Sequence, residues 1–190
     1  DGYVTEGTSN NAYIVKGNKI ITRGLSNDIL HGITRAAVLR FAAEAQMEVE
    51  ERNFTIAEAQ DADEAFITSA TTFVQPVVEI DGAKIGDGVP GKMALRLREI
   101  YIDKCIKDTP YALRTYLETY DNTKSMYVPF VLFPDQEQLI RDYDTYNENL
   151  ALKYRQAGVS TATSAWISKK LQFASPKQPE KVLIIANKLD

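Results

Sequence analysis

The first half of the chain has a pattern of hydrophobic and polar residues that predicts a mixed α/β fold. Residues 11–23 alternate on both sides of Gly17-Asn18, which is typical of a β-hairpin. Apolar residues then recur at every fourth position from Ile33 to Ala45, which indicates one buried face of a helix. Two further apolar runs, Ala65–Thr68 and Val74–Ile80, predict strands.

The pattern changes after a predicted helix that begins at Lys92. Asp108 and Pro110 are typical of a helix start, because Asp can cap the first turn and Pro fits it. The elements predicted beyond this point are helices at Tyr111–Tyr120 and Pro134–Tyr143, a strand at Asn149–Tyr154, a helix around Trp166, and a strand at Lys181–Asn187. The last three would form a right-handed βαβ unit.

Composition also changes abruptly, within residues 98–105. Nine of the ten glycines lie before residue 100, and eight of the ten tyrosines lie after it. Residues 1–103 carry ten Lys/Arg against sixteen Asp/Glu, a net charge of −6, whereas residues 104–190 carry twelve against ten, a net charge of +2. Such a change marks a domain boundary. We therefore expect an α/β chain of two fused partial domains, with separate cores and a small shared interface.

Cysteine content and hydropathy limit the cellular compartment in which the protein is expected. The one cysteine, Cys105, excludes an intramolecular disulfide and fits a reducing, cytoplasmic location. We expect its side chain to be half-buried. No apolar run reaches the roughly 18–20 residues of a membrane span, so no membrane partner is expected. The chain begins at Asp1 without an initiator Met, which predicts a fragment of a longer protein.

Three polar segments of the first half are candidates for chemistry. Glu6 stands among small hydroxyl and amide residues, Gly32 and Thr34 stand where a helix is predicted to begin, and residues 68–72 form a hydroxyl cluster directly after a strand. Exposed N–H groups and a hydroxyl at a helix start can hold a phosphate. The alternative for each segment alone is an ordinary cap or turn, and His31 alone would be a surface histidine.

Together these segments resemble the pyridoxal-phosphate enzymes of fold type IV, with the D-amino-acid aminotransferases as the nearest group and the branched-chain aminotransferases further off. The resemblance rests on Val4–Asn10, Leu30–Arg35 and Ile67–Thr72. It implies that pyridoxal phosphate is the cofactor and that six residues bind it. Glu6 would pair with the pyridine nitrogen, Leu30 would pack on the ring, and the phosphate would be held by Ile33, Thr34, Ser69 and Thr71.

One departure from this family concerns the lysine that forms the Schiff base. In the family it lies upstream of the segment that matches Glu6. Lys16 and Lys19 flank the predicted hairpin turn, so neither matches it. We therefore expect no complete catalytic site in this chain.

The second half has its own candidate site in the loop before the helix around Trp166. Gly158 lets the backbone approach an anion, and Ser160 and Thr161 offer hydroxyls to phosphate and Mg²⁺. Lys153 and Arg155, at the end of the predicted strand, could balance the phosphate charge. The segment departs from the standard G-x-x-x-x-G-K-[ST] loop. A phosphate loop and an ordinary βα turn are both open on these grounds.

This half resembles the ATPase domain of tailed-bacteriophage terminase large subunits, which are DNA-packaging motors. The resemblance rests on Phe130–Gln136, Lys153–Thr161 and Val182–Asn187. It implies a P-loop ATPase-like piece that binds Mg·ATP. Gln136 would read adenine, Lys153 would be a displaced phosphate-loop lysine, and Ser160 or Thr161 would contact the metal. The acidic strand needed for hydrolysis would lie beyond Asp190.

The two resemblances lead us to interpret the chain as a chimera without a complete active site. An aminotransferase, a weak ATP-binding module and a structural fusion are the functions left open, and an artificial splice is favoured over a natural fusion. Small-molecule phosphates are the expected ligands, and nucleic acid is implied only by the terminase resemblance. The tyrosines before Pro134 could stack on bases, but their spacing favours packing. Both halves would leave open sheet edges, so we expect self-association.

Overall fold

The computed structural model describes residues 2–26, 29–121, 123–146 and 158–174. The chain divides into two compact units, which we call unit 1 (Asp1–Lys104) and unit 2 (Cys105–Asp190). The change in glycine, tyrosine and charge content falls at the same point of the chain. Within the described ranges, no helix has the length and apolar character needed to cross a membrane.

The elements of unit 1 alternate between strands and helices, as the hydrophobic pattern predicts. In chain order they are β1 (Asn11–Lys16), β2 (Lys19–Thr22), α1 (Ile33–Glu44), β3 (Glu48–Glu51), α2 (Ile56–Gln60), β4 (Glu64–Ser69), β5 (Phe73–Val77), β6 (Glu79–Ile80), β7 (Ala83–Lys84) and α3 (Lys92–Lys107). Five strands form one sheet in the order β3-β2-β1-β4-β5. The β2–β3 pair is parallel and the other pairs of this sheet are antiparallel. A parallel pair needs a crossover, which α1 supplies.

The predicted hairpin is confirmed, because β1 and β2 pair from Tyr13 opposite Thr22 to Lys16 opposite Lys19. The strand predicted at Val74–Ile80 is wrong in its extent. It is two strands, β5 and β6, with a break at Val78. The second of these turns back at Asp81-Gly82 to pair with β7.

Strand β3 was not predicted, and its sequence shows why. Its four residues, Glu48–Glu51, contain one apolar side chain, so no hydrophobic alternation marks them. The strand forms by pairing with β2, and cations from neighbouring residues offset its carboxylates. Lys19 Nζ lies 3.0 Å from Glu48 and 3.1 Å from Glu50, and Arg52 Nε lies 3.1 Å from Glu50.

Helix α1 buries a stripe that differs from the predicted one. The sequence placed Ile33, Ala37, Phe41 and Ala45 on the buried face. Ala37 and Phe41 are buried, but Ile33 is only half-buried and Ala45 caps the C-terminus. The residues of α1 that do lie in the interior are Thr34, Arg35, Ala37, Val38, Phe41 and Ala42. Two polar residues therefore lie inside the fold at the first turn of this helix.

The two faces of the sheet carry different parts of the core. Tyr13 of β1 and Phe66 of β4 are paired across the sheet and their rings stack, with centroids 4.5 Å apart and an interplanar angle of 6°. Ile14 and Ala65, one residue away on each strand, point to the opposite face and join a second apolar cluster with Phe54. Side chains of successive strand residues therefore fill both sides of the sheet.

Helix α3 begins at Lys92 as predicted, and Glu64 of β4 caps its first turn. The Glu64 carboxylate accepts hydrogen bonds from the backbone N–H groups of Met93, at 3.0 Å, and Ala94, at 3.1 Å. These N–H groups have no partner inside the helix, and a carboxylate also suits the positive end of the helix dipole. The buried side of α3 includes Tyr101 and Cys105, so the expectation of a half-buried cysteine is wrong.

Unit 2 contains helices and one hairpin within its described residues. The elements are α4 (Thr109–Tyr116), β8 (Glu118–Asp121), β9 (Met126–Pro129), α5 (Pro134–Thr145) and α6 (Val159–Gln172). Asp108 caps α4 as predicted, because its Oδ1 accepts the Tyr111 N–H at 3.1 Å. The three helices pack on one another around a small apolar core. Its buried members are Leu113, Leu132, Ile140, Ala162 and Ala165.

The helix predicted at Tyr111–Tyr120 is too long. It ends at Tyr116, and Leu117 is already extended, with φ −100° and ψ 140°. Residues 118–121 pair with β9 instead. Thr and Tyr side chains favour strands, and here this preference outweighs the continuing amphipathic pattern. The strands predicted at Asn149–Tyr154 and Lys181–Asn187 lie outside the described residues, so the βαβ unit stays a prediction.

Candidate functional site

Strand register brings the polar segments of unit 1 to one end of the sheet. Asn11, the first residue of β1, pairs with Thr68, next to the last residue of β4. The loop before β1, which contains Glu6, and the turn after β4 therefore lie at the same end. Helix α1 also packs against β4. The first turn of α1 follows Leu30, whose backbone is bonded to Asn11.

Glu6 is held by two N–H donors from different segments. The Leu30 backbone N–H donates to Glu6 Oε2 at 2.6 Å, and Asn11 Nδ2 donates to the same oxygen at 3.2 Å. The Asn11 Nδ2 group also donates to the Leu30 carbonyl at 2.8 Å. Glu6 itself is half-buried. The carboxylate thus has a fixed position beside residue 30.

Leu30 and His31 project outward from this point. The Leu30 side chain is 47% exposed although it is large and apolar, and His31 is exposed as the sequence suggested. An exposed leucine beside a fixed carboxylate is suited to pack against a flat apolar surface.

The first turn of α1 presents a buried hydroxyl. Gly32 precedes the helix and gives no side-chain cap, so the first N–H groups are available at that end. Ile33 is the first helical residue. Thr34 is 2% exposed, and its Oγ1 has no hydrogen-bond partner among the described residues. A buried hydroxyl without a partner costs free energy, and an oxygen-rich ligand at this helix end would satisfy it.

The turn after β4 carries the second group of hydroxyls. Ser69 Oγ lies 2.7 Å from Thr72 Oγ1 and 3.3 Å from Thr71 Oγ1, and both contacts are exposed. Arg98 of α3 fixes the turn by donating to the carbonyls of Thr72, at 2.6 Å, and Val74, at 2.8 Å. The hydroxyls therefore lie on a turn whose backbone is anchored.

Sequence reasoning assigned no role to Asn11 or Arg35. Arg35 is 4% exposed, and its Nη2 donates to the Arg23 carbonyl at 3.0 Å and to Glu51 at 2.7 Å. These bonds tie the first turn of α1 to the ends of β2 and β3. The signal that could have found both residues is a polar side chain inside an apolar strand or helix face.

A carboxylate, an exposed apolar side chain, a buried hydroxyl at a helix start and a hydroxyl turn lie around one end of this sheet. This set is chemically complementary to a flat, phosphorylated heteroaromatic cofactor. The carboxylate suits a ring nitrogen, leucine suits the ring face, and the N–H and hydroxyl groups suit a phosphate.

Comparison with known proteins finds one family to which the first part of the chain is similar. The family described as amino-transferase class IV matches residues 1–80. The D-alanine aminotransferase of Bacillus licheniformis is 43% identical over 109 residues, which are 57% of this chain and 38% of that protein. A probable branched-chain-amino-acid aminotransferase of Aquifex aeolicus is 45% identical over 103 residues, 54% of this chain and 33% of that protein. Residues 1–80 are thus similar to the aminotransferase class IV domain, and the chain spans about a third of these relatives' length.

Solved structures agree with this assignment. A branched-chain amino acid aminotransferase of T.th., complexed with N-(5'-phosphopyridoxyl)-L-glutamate, is 40% identical, with a TM-score of 0.52, over 54% of this chain and 34% of that chain. The enzyme of Thermobaculum terrenum in its PLP form is 34% identical, with a TM-score of 0.53, over 60% and 38%. The mixed α/β fold of unit 1 is that of these neighbours. The proteins named here are aminotransferases, so the terminase resemblance of the second half stays a prediction.

In unit 2 the structure brings together two residues of the predicted nucleotide site. Gln136, 8% exposed on the first turn of α5, accepts the Phe133 N–H through Oε1 at 3.0 Å. Gly158, directly before α6, is left-handed with φ 70°. The positive φ favours glycine here, and a Cβ would also lie 2.3 Å from Gln136 Nε2, so the two residues are close neighbours.

The other predicted residues of this site are less defined. Ser160 and Thr161 lie on the first turn of α6 and are exposed. Lys153 and Arg155 lie outside the described residues. Among the residues that the structure describes, no group of His, Cys, Asp or Glu is arranged to hold a metal ion.

Proposed function

We propose that unit 1 binds pyridoxal 5'-phosphate at the end of the sheet where Glu6 and Thr34 lie. The observation that carries this proposal is the Thr34 hydroxyl, which is buried and without a partner among the described residues at the start of α1. The phosphate of the cofactor would accept from it. Two structural neighbours, one with a phosphopyridoxyl compound and one in a PLP form, support the choice of cofactor.

Of the six predicted residues, two would contact the cofactor ring and four would contact its phosphate. Glu6 would accept the ring N–H and so favour the protonated ring. Leu30 would cover one face of the ring and keep water from it. The backbone of Ile33, the hydroxyl of Thr34 and the turn with Ser69 and Thr71 would hold the phosphate. Bound pyridoxal phosphate supplies an electron sink for chemistry at the α-carbon of an amino acid.

Transamination between D-amino acids and 2-oxo acids is the reaction that we propose for a full-length protein that contains this domain. It is supported by relatives named D-alanine aminotransferase, while others are named branched-chain aminotransferases. The domain supplies the cofactor contacts argued above. The relatives extend beyond the segment that this chain matches.

Binding of pyridoxamine 5'-phosphate tests the cofactor site directly, since it requires no covalent bond to lysine. We expect the chain to bind it and Thr34→Val, which keeps the side-chain shape, to weaken binding about tenfold through loss of one charge-assisted hydrogen bond. Calorimetry gives both constants. Thr119→Val, at an exposed position of β8, is the matched control and should leave affinity unchanged. Equal affinity of the Thr34 variant and wild type would remove this hydroxyl from the site.

A second candidate function is weak binding of Mg·ATP by unit 2, which we propose on the contact between Gly158 and Gln136. The sequence placed these residues in one site although they lie in different segments, and they are neighbours in space. Adenine would be read by the Gln136 amide. The N–H groups at the start of α6, with Ser160 and Thr161, would face phosphate and Mg²⁺.

Calorimetry with Mg·ATP tests this second site. We expect a dissociation constant in the high micromolar range or weaker, about 5 kcal/mol of binding free energy, and no hydrolysis. Lys153→Ala should weaken binding, whereas Lys124→Ala, on the exposed turn between β8 and β9, should not. Equal affinity of Lys153→Ala and wild type would exclude Lys153, and steady turnover would contradict a site without a catalytic carboxylate.

The chimera hypothesis rests on the second half. It requires that unit 2 derive from a terminase ATPase, and DNA would then be a partner of the parent protein. A structural fusion without activity is the outcome if neither the pyridoxamine phosphate nor the Mg·ATP experiment shows binding.

A further inference from the structure

We infer that Asn11 is a positioning residue, which holds the Glu6 carboxylate where it meets the ring nitrogen of the cofactor. This inference rests on the proposed cofactor site. It goes beyond the six predicted contacts because Asn11 would touch no part of the cofactor itself. The juxtaposition that carries it is the closed set of hydrogen bonds among Glu6, Asn11 and Leu30.

Asn11 is placed so that its amide cannot easily move. It is 3% exposed at the start of β1, and its backbone is fixed by pairing with Thr68. The two hydrogens of Nδ2 serve Glu6 Oε2, at 3.2 Å, and the Leu30 carbonyl, at 2.8 Å. A side-chain amide is the group that can supply two donors from one atom at this length, because serine has one and an ionised aspartate has none.

The hydrogen bonds link the segments of Glu6, Asn11 and Leu30 in a closed set. The Leu30 N–H donates to Glu6 Oε2 at 2.6 Å, so both polar groups of the Leu30 backbone are engaged, one by Glu6 and one by Asn11. Both bonds that the described residues give to the carboxylate end on Oε2. Oε1 accepts none of these bonds and would take the ring N–H of the cofactor. The geometry thus orients the carboxylate and also presents Leu30 beside it.

The position of Gly32 shows that the side-chain amide of Asn11 packs closely against its neighbours. A Cβ at this position would lie 2.4 Å from Asn11 Oδ1, closer than real atoms approach. Residue 32 must therefore lack a side chain while Asn11 is in place. Gly32 directly precedes α1, so the Asn11 amide lies against the backbone just before this helix.

The experiment uses pyridoxamine 5'-phosphate labelled with ¹⁵N in its ring, bound to the chain at neutral pH. The chemical shift of this nitrogen reports its protonation. We expect Asn11→Ala to bind the compound, because the phosphate contacts remain, and to lower the ratio of protonated to unprotonated ring nitrogen about tenfold. Glu6→Gln should change this ratio in the same direction and further. Asn18→Ala, on the exposed turn between β1 and β2, is the matched control and should match wild type.

A second readout needs no ligand. Hydrogen exchange of the Leu30 amide should be about tenfold faster in Asn11→Ala than in wild type or Asn18→Ala, because its acceptor is no longer held. Circular dichroism verifies folding. If Asn11→Ala does not fold, Asn11→Ser, which retains one donor, takes its place. If the serine variant also fails to fold, Asn11 is required for the fold itself and the inference is wrong.

The remaining outcomes separate this inference from the cofactor proposal. A folded Asn11→Ala variant with the wild-type ring-nitrogen signal would overturn the inference and leave the cofactor site standing. Failure of the wild-type chain to bind pyridoxamine 5'-phosphate would overturn the proposed function, and the role of Asn11 would fall with it.

Discussion

Replacing Phe66 by alanine is expected to lower the free energy of unfolding of unit 1 by about 3–5 kcal/mol, as for other large buried aromatics. Phe66 is 1% exposed and stacks on Tyr13 at 4.5 Å. Its loss would leave a cavity beside the Tyr13 ring on the central strands, and a packed interior closes such a cavity only in part. Urea denaturation followed by hydrogen exchange of β1 and β4 amides measures the change.

Two features of the chain give controls for this experiment. Phe133 is 71% exposed, so Phe133→Ala should change stability by no more than about 0.5 kcal/mol. The single tryptophan, Trp166, lies in unit 2 and contacts Tyr143 with ring centroids 5.3 Å apart. We expect its fluorescence transition to be the same in Phe66→Ala and wild type. A matching shift of both transitions would contradict the expectation that the two units have separate cores.

The second large effect is expected for Glu64→Ala, at about 2 kcal/mol. The carboxylate accepts hydrogen bonds from the Met93 and Ala94 N–H groups, and alanine would leave this helix end without an acceptor. Chemical denaturation compares the variant with Glu99→Ala, which changes an exposed position in the middle of α3.

Glu64→Gln refines this prediction. It keeps an acceptor oxygen but loses the negative charge, so it should cost less than alanine and more than the Glu99 control. Equal stability of Glu64→Ala and Glu99→Ala would show that water replaces the cap without loss.

Local signals in the sequence were sufficient for part of the fold. The β1–β2 hairpin and the cap at Asp108 were predicted because each depends on residues close together along the chain. Strand β3 depends on a parallel partner that α1 separates from it, and the β8–β9 hairpin depends on pairing that overrides a helical pattern. Such contacts leave no mark in hydrophobic periodicity.

In the candidate site of unit 1, too, some residues could be found from the sequence and others only from contacts between distant segments. Glu6 and Thr34 could be selected by residue type and by resemblance to a family. The role of Asn11 follows from its bond to the Leu30 carbonyl, 19 residues away, and the cap by Glu64 joins residues 29 and 30 apart. A polar residue in a strand can have many roles. Only the pairing register of Asn11 with Thr68 shows which role applies here.

The two outer strands of the five-stranded sheet differ in how they would receive a further strand from another molecule. Addition at β3 would press a second backbone against Glu48 and Glu50 together with their cations, and these charges would lose water. Strand β5 carries no charged side chain of its own, although Pro76 removes one backbone donor from it and Arg98 of α3 already donates to the Val74 carbonyl. The predicted self-association through sheet edges would therefore be one-sided, which allows pairs of molecules but opposes growth into a continuous ribbon.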